Sequence, residues 1–214
     1  LKDDQKQFLA SVPMESRKTF RVGLPTDYGL SYLNSRLAEF RQVHTDVPLR
    51  IRCDLSEQLL ESLVLGELDT VVAIAHEANE DQLSATWEVK PIWVASLDLT
   101  LNDGEAVPLI MHPEGCEYRK RMVECLNAVE RAWYVSYQSP DLASLQEAVV
   151  NGMGVSALTP VTLDERMRIL DVDQGFPALR NITVGLYTAD ETQSGDEADL
   201  INDWLSESLA RHRH

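Results

Sequence analysis

A chain of 214 residues is long enough for one large domain or two small lobes, and 44% hydrophobic with 25% charged residues is the balance of a globular protein. The net charge of −16, from 19 Lys plus Arg against 35 Asp plus Glu, repels nucleic acid at long range and makes this chain a poor direct binder of DNA or RNA. No apolar run approaches the roughly 18 residues of a membrane span, so no membrane partner is expected.

Residues 1–19 are polar and lysine-rich and read as a helix end or linker. The start, LKDDQKQF, has neither an apolar h-region nor a cleavage site. Cys53, Cys116 and Cys125 form no C-x-x-C pair, so reduced thiols and a cytoplasmic setting are expected. A first strand runs Phe20 to Leu24 and is closed by Pro25. Leu30, Leu33, Leu37 and Phe40 then recur at helical spacing. Pro48 precedes a strand, Leu49 to Cys53. Asp54 or Ser56 can cap a second helix with Leu59, Leu60, Leu63 and Val64 on one face, and Gly66 suits its left-handed end. The run TVVAIA, Thr70 to Ala75, has the continuous apolar character of a strand covered on both faces. This β-α-β-α-β order implies parallel strands with helical crossovers.

After an acidic loop, Glu77 to Asp81, an extended stretch covers Trp87 to Leu99. A second set follows the same grammar. It has a strand at Val107–Met111 and a helix at Glu117–Ala128 carrying Met122, Cys125, Leu126 and Val129 inward. A strand at Ala132–Tyr137 is followed by a helix that Ser139 caps, with Pro140 at its first position and Leu142, Leu145 and Val149 buried. Asn151–Gly154 stops that helix before the strand Val155–Leu158, as Gly66 stops the earlier one. Asn181 to Thr188 reads as another strand. A polar turn, Asp190 to Gly195, leads to a last helix with Leu200, Ile201, Trp204, Leu205 and Leu209 inward.

The expected fold class is therefore α/β, with two Rossmann-like lobes joined by two crossing strands. Lobe I takes residues 20–94 and 183–214, and lobe II takes 95–182. The crossings are placed near Trp93–Ser96 and Asn181–Thr183. Ligands of open α/β sheets sit beyond the carboxyl ends of the strands, here in the gap between lobes.

Several segments, in order, resemble the regulatory domain of LysR-type transcriptional regulators. They are RVGLPTDY, LAEFRQVHTDVPLRI, LVLGELDTVVAI, KPIWVAS and HPEGCEYR…WYVSYQSPDLASLQEAVVNGMGVSALTP. The resemblance covers about residues 20–210 and implies a periplasmic-binding-protein type II fold. It further implies a sensing and dimerising domain, a small-molecule effector between the lobes, and a DNA-binding winged helix with a dimerising helix that this sequence lacks. DNA would be reached only through that missing part. Also implied are a homodimer and a tetramer of the full-length protein. No G-x-S-x-G, H-E-x-x-H or phosphate-binding glycine loop appears and no nucleophile–base–acid set can be assembled, so neither enzymatic activity nor a cofactor is expected. The usual pairing would set the helix Gly29–Arg41 of one chain, with Tyr32, Arg36 and Arg41, beside the helix Glu117–Ala128 of the other, with Glu117, Arg119, Lys120 and Arg121.

The candidate effector contacts follow strands and open helices: Pro25, Thr26 and Asp27; Leu55 and Ser56; His76; Ser96; Gln138 and Ser139; and Thr159. Helix starts with unused N–H groups suit an anion or carboxylate. Asp27 opposes one, and is either a cap or the sign of a polar or cationic ligand. Each of these residues also has a plain reading as a cap or loop residue. Cys116 near a helix start can have a lowered thiol pKa, yet Cys125 lies about 13 Å along the same helix, too far for a disulfide. His44, His76, His112, His212 and His214 make no metal-ligand spacing with the cysteines, so no metal site is expected. Gly152-Met153-Gly154 follows a helix rather than a strand and is no dinucleotide fingerprint. A free-standing solute-binding protein of the same fold is the competing reading.

Overall fold

The computed structural model describes residues 19–26, 31–75, 81–102, 104–189 and 196–210. Most of residues 1–19, Asp27, Leu30, His76, the loop 77–80, the turn 190–195, His212 and His214 lie outside the described residues, as does the side chain of Tyr32. The strands are β1 (Phe20–Pro25), β2 (Leu49–Asp54), β3 (Thr70–Ile74), β4 (Leu83–Val89), β5 (Ile92–Ser96), β6 (Val107–Met111), β7 (Trp133–Gln138), β8 (Ser156–Leu158), β9 (Met167–Leu170) and β10 (Ile182–Thr188). The helices are α1 (Ser31–Val43), α2 (Ser56–Val64), α3 (Glu117–Ala128), α4 (Leu142–Val150) and α5 (Asp196–Ala210).

One sheet has the order β2-β1-β3-β10-β4. Here β1 runs parallel to β2 and β3, and β10 is antiparallel to β3 and β4. The second set has β6 parallel to β7, and β5 antiparallel to β8 and β9. A parallel bridge between Leu109 and Val155 joins these pieces into the order β7-β6-β8-β5-β9. The two sheets therefore share one topology, and each takes its antiparallel fourth strand from chain that has just come from the other. The sheet partners set the first crossing at Lys90–Pro91, between β4 and β5. This is earlier than the expected Trp93–Ser96, because all of β5 pairs within the second sheet.

Gly66 and Gly152 end α2 and α4 in the same way. Both have a left-handed backbone, φ 71° and 73°. Gly66 N–H donates to the Leu63 carbonyl and Glu67 N–H to the Ser62 carbonyl. Gly152 N–H donates to Val149 and Met153 N–H to Ala148. This two-bond closure satisfies helix-end carbonyls and needs φ > 0, which glycine adopts without strain.

The core follows the apolar periodicity. Leu33, Leu37 and Phe40 of α1, all of β3, and Tyr118, Met122 and Leu126 of α3 are buried. Three expected core residues are exposed: Val64, Val129 and Leu200. At about 100° per residue Val64 lies roughly 90° from the centre of the Leu59, Leu60 and Leu63 stripe. Val129 falls past the last residue of α3, and Leu200 sits one step off the Ala198, Ile201, Leu205 and Leu209 face of α5.

Candidate functional site between the lobes

The antiparallel strands fix where the gap must lie. The carboxyl end of β8 at Leu158 faces Ile92, the first residue of β5. In the other sheet Ala75, just past β3, donates its N–H to the Thr183 carbonyl of β10 at 2.6 Å. Both crossings therefore run beside the carboxyl ends of the parallel strands, and those ends face one another. The lobes approach closely there: a methyl group placed on Gly115, before α3, would lie 4.0 Å from the carboxylate of Glu57 in the first turn of α2.

On the lobe I wall the strand ends are stitched together. Thr26 N–H, after the buried Pro25, donates to the Asp54 carbonyl at 2.9 Å, and Leu55 N–H donates to Asp54 Oδ1 at 3.0 Å. Ser56 is buried at the start of α2, and its Oγ accepts from Ile74 N–H at 3.0 Å, tying β3 to that helix. On the lobe II wall Ser139 N–H donates to the Met111 carbonyl at 3.3 Å. Gln138 Oε1 accepts from Arg119 at 2.8 Å, and the same guanidinium donates to the His112 carbonyl at 3.1 Å. Thr159 is buried after β8, with its hydroxyl 3.1 Å from that of Thr162.

Pro25, Thr26, Leu55, Ser56, Gln138, Ser139 and Thr159 thus stand at strand ends bordering the gap. Ser96 does not join them. It closes β5 opposite Met167, while Ile92 is the end that meets Leu158. Four steps of strand put it about 13 Å from the gap, because an antiparallel strand leaves in the direction opposite to its neighbours. Asp27 and His76 lie outside the described residues.

Ser139 is not the cap of α4. Asp141 is: its Oδ2 accepts from Ser144 N–H at 2.8 Å and from the Ser144 hydroxyl at 2.6 Å, while Ser139 Oγ accepts from Asp141 N–H. These bonds from Ser144 hold the Asp141 carboxyl below the usual carboxylate range. The start of α4, expected to offer unused N–H groups to an anion, is therefore already served by the chain's own carboxylate.

The residue that pattern reading passed over is His112. It follows β6 as Thr26 follows β1, and that equivalent position was the available signal. Its ring is buried against the Ser139–Pro140 backbone, and Nδ1 has no partner. Burial lowers its pKa to about 4, although Asp141 opposes the shift.

Cys116 is buried, and Cys125 on the same helix points its Sγ at the Pro177 carbonyl, 3.4 Å away. Burial raises the Cys125 thiol pKa, which favours a packed thiol over a reactive one. Among the described residues no helix is long and apolar enough to cross a membrane.

Residues 14–210 match the family described as the LysR substrate binding domain. The chain belongs to this family. Among curated relatives it is 24% identical over 162 residues to the HTH-type transcriptional regulator PecT of Dickeya dadantii (strain 3937), covering 75% of this chain and 51% of PecT. It is 22% identical over 169 residues to the HTH-type transcriptional regulator DgdR of Burkholderia cepacia, covering 78% of this chain and 57% of DgdR. This LysR-family chain spans about half the length of those relatives. Both are transcriptional regulators by name, not enzymes. Its fold matches the apo regulatory domain of HypT from Salmonella typhimurium with a TM-score of 0.76 at 14% identity, covering 91% of this chain and 97% of that one. The two-lobed architecture expected from the sequence is that of this family.

Proposed function

We propose that this LysR-family chain is the effector-sensing and dimerisation domain of a DNA-binding transcriptional regulator, acting in the cytoplasm. A small polar molecule enters the gap between lobe I, residues 20–91 and 182–210, and lobe II, residues 92–181. Its contacts come from Pro25, Thr26, Asp27, Leu55, Ser56, His76, Gln138, Ser139 and Thr159. The observation that carries this reading is the reciprocal exchange of β5 and β10, which aims the carboxyl ends of both parallel sets into one gap. An effector acts by binding one arrangement of the lobes more tightly than another. An anionic or carboxylate group on the effector would share Arg119, in the first turn of α3, with the His112 carbonyl, Gln138 and Glu114, while Asp54, Glu57, Glu114 and Asp141 nearby favour a polar group beside it.

DNA is reached through a separate winged-helix part, and the domain pairs with a second copy, the full-length protein forming a tetramer. Two edge strands support the pairing. β2 and β7 each end a sheet, and both present exposed side chains, Ile51 and Arg52 on one and Tyr134 and Val135 on the other. A free-standing solute-binding protein would instead run as a monomer.

The test is a thermal-shift screen of small polar metabolites, with Ser139→Trp as the blocked-gap control. A compound should raise Tm in the parent and lose that effect in the variant. Stabilisation that survives Ser139→Trp unchanged places binding elsewhere, and a monomer by light scattering favours the solute-binding reading.

A further inference from the structure

We propose that lobe II carries a second small-molecule site at its outer pole, built around Arg131 and taking an apolar α-amino acid as its zwitterion. The site is a cavity of about 560 Å³, within the range of small-molecule pockets. It is lined by Glu105 before β6, by the turn Val129–Ala132 between α3 and β7, and by Val172, Gly175 and Pro177. Glu105 and that turn stand at the amino ends of β6 and β7, where Val107 N–H donates to the Ala132 carbonyl at 2.8 Å. The cavity therefore lies at the end of those strands opposite to the gap, and is separate from it.

The cation of this site is held in place by the chain. Arg131 Nη1 donates to the Gln174 carbonyl at 2.9 Å and to the Gly175 carbonyl at 2.8 Å, and the guanidinium carbon lies 4.3 Å from the centre of the Phe176 ring. A Cβ on Gly175 would lie 2.5 Å from Nη1, so glycine there leaves room for the guanidinium. Among the described residues Arg131 makes no ion pair, and its Nε and Nη2 donors are unused. A guanidinium fixed through one nitrogen and free at the other two suits a carboxylate, which it takes through two parallel hydrogen bonds. Two carboxylates, Glu105 and Glu130, line the same cavity. They repel a simple anion, and Arg131 repels a simple cation, whereas a zwitterion satisfies both signs. The exposed Val129 and Val172, with Pro177, give its side chain an apolar wall. Glu130 supports the site in a second way. It closes α3 as Gly66 and Gly152 close α2 and α4: its N–H donates to the Asn127 carbonyl at 3.1 Å, and Arg131 N–H to the Leu126 carbonyl at 3.0 Å. It does so at φ 53°, the one non-glycine residue with a left-handed backbone among the described residues. A glutamate there forgoes the unstrained ending that glycine provides, and brings a carboxylate to the cavity.

The experiment titrates the ¹⁵N-labelled chain with L-leucine, and with 4-methylpentanoate and 3-methylbutylamine, which keep the leucine side chain and one charge each. Backbone spectra read Val129, Glu130 and Gly175 at the cavity, and Thr26, Ser56 and Thr159 at the gap. L-Leucine should move the first set. Each analogue should bind about tenfold more weakly or worse, having lost one charge-assisted contact. Glu105→Gln combined with Glu130→Gly removes both partners of the ammonium and relaxes the end of α3. This double variant should raise Tm and yet weaken L-leucine by about tenfold, which a purely structural role of Glu130 does not produce. Equal binding of 4-methylpentanoate, or undiminished L-leucine binding in the double variant, overturns the zwitterion site. Movement of the gap amides alone places the amino acid in the gap and overturns it as well. Silence of both sets at millimolar L-leucine overturns it outright, and leaves the effector gap untouched.

Discussion

Arg21 and Asp69, 48 residues apart, are joined side chain to side chain and side chain to backbone. Asp69 Oδ1 accepts from Arg21 Nη2 at 2.7 Å, and Oδ2 accepts from Nε at 3.0 Å and from the Arg21 backbone N–H at 2.7 Å. Asp69 N–H in turn donates to the Arg21 carbonyl at 2.9 Å. This explains why an acid stands immediately before the apolar strand β3: it locks the turn after Gly66 onto β1. The other acid of that turn, Glu67, accepts from the Ser62 hydroxyl at 3.0 Å and so fastens the end of α2.

Asp69→Ala should cost on the order of 2–3 kcal/mol. That is less than for a fully buried pair, because the Arg21 side chain is 29% exposed while Asp69 is 6%. Urea unfolding measures it. Arg21→Ala should cost a similar amount, with the double variant well short of the sum, since each single change leaves a charge stranded.

Burial of His112 makes stability depend on pH in a definite direction. Its pKa is lowered to about 4 in the fold from an ordinary 6.5. Between these values the unfolded chain takes up a proton that the folded chain refuses, so this contribution is full above 6.5 and lost as pH falls towards 4. The loss should be on the order of 3 kcal/mol at most. Comparing urea midpoints of the parent and His112→Asn at pH 7 and pH 4.5 isolates it; an identical pH slope in the two would remove His112 as the cause.

The capping assignment is open to a direct comparison. Asp141→Ala should destabilise by about 1 kcal/mol through loss of the α4 cap. Ser139→Ala, which removes only an acceptor for Asp141 N–H, should cost less. Reversed magnitudes would restore Ser139 as the cap.

Two glycines with different surroundings should respond differently to alanine. A Cβ on Gly154 would lie 2.4 Å from the Pro108 carbonyl oxygen and 2.9 Å from Ser136 Oγ, at the bridge that holds β6 to β8. Gly154→Ala should cost about 3 kcal/mol by overpacking. A Cβ on Gly66 meets nothing within 4 Å, so Gly66→Ala should cost only the left-handed conformation, about 1 kcal/mol.

The proposed pairing of two copies predicts that charge on an edge strand will weaken it. Ile51 of β2 and Val135 of β7 are 39% and 40% exposed. Ile51→Lys with Val135→Lys should shift the sedimentation profile from dimer towards monomer while lowering the unfolding free energy of the domain by no more than about 1 kcal/mol. An unchanged dimer would place the interface on another face.

Local chemistry was enough to read the alternation of strands and helices and the glycine stops at Gly66 and Gly152, whereas the family was read from the resemblance of several segments in their order along the chain. Continuous apolar runs such as Thr70–Ala75 mark strands covered on both faces, and helical stripes such as Leu33, Leu37 and Phe40 mark the faces that cover them. Which cap a helix uses was not legible. Ser139 and Asp141 are both good cap residues two positions apart, and only the backbone decides which oxygen meets the N–H of Ser144. Nor could the direction of β5 be read. Its residues are as apolar as those of a parallel strand, yet it pairs antiparallel to β8 and β9, and this alone carries Ser96 away from the gap. His112 shows the same limit: nothing in the letters MHPEG reveals a buried ring, because the Ser139–Asp141 segment that lies against it comes later in the chain. Sequence determines what each segment prefers to become; the packing of distant segments determines which polar atoms are left facing one another, and that is where this domain's chemistry resides.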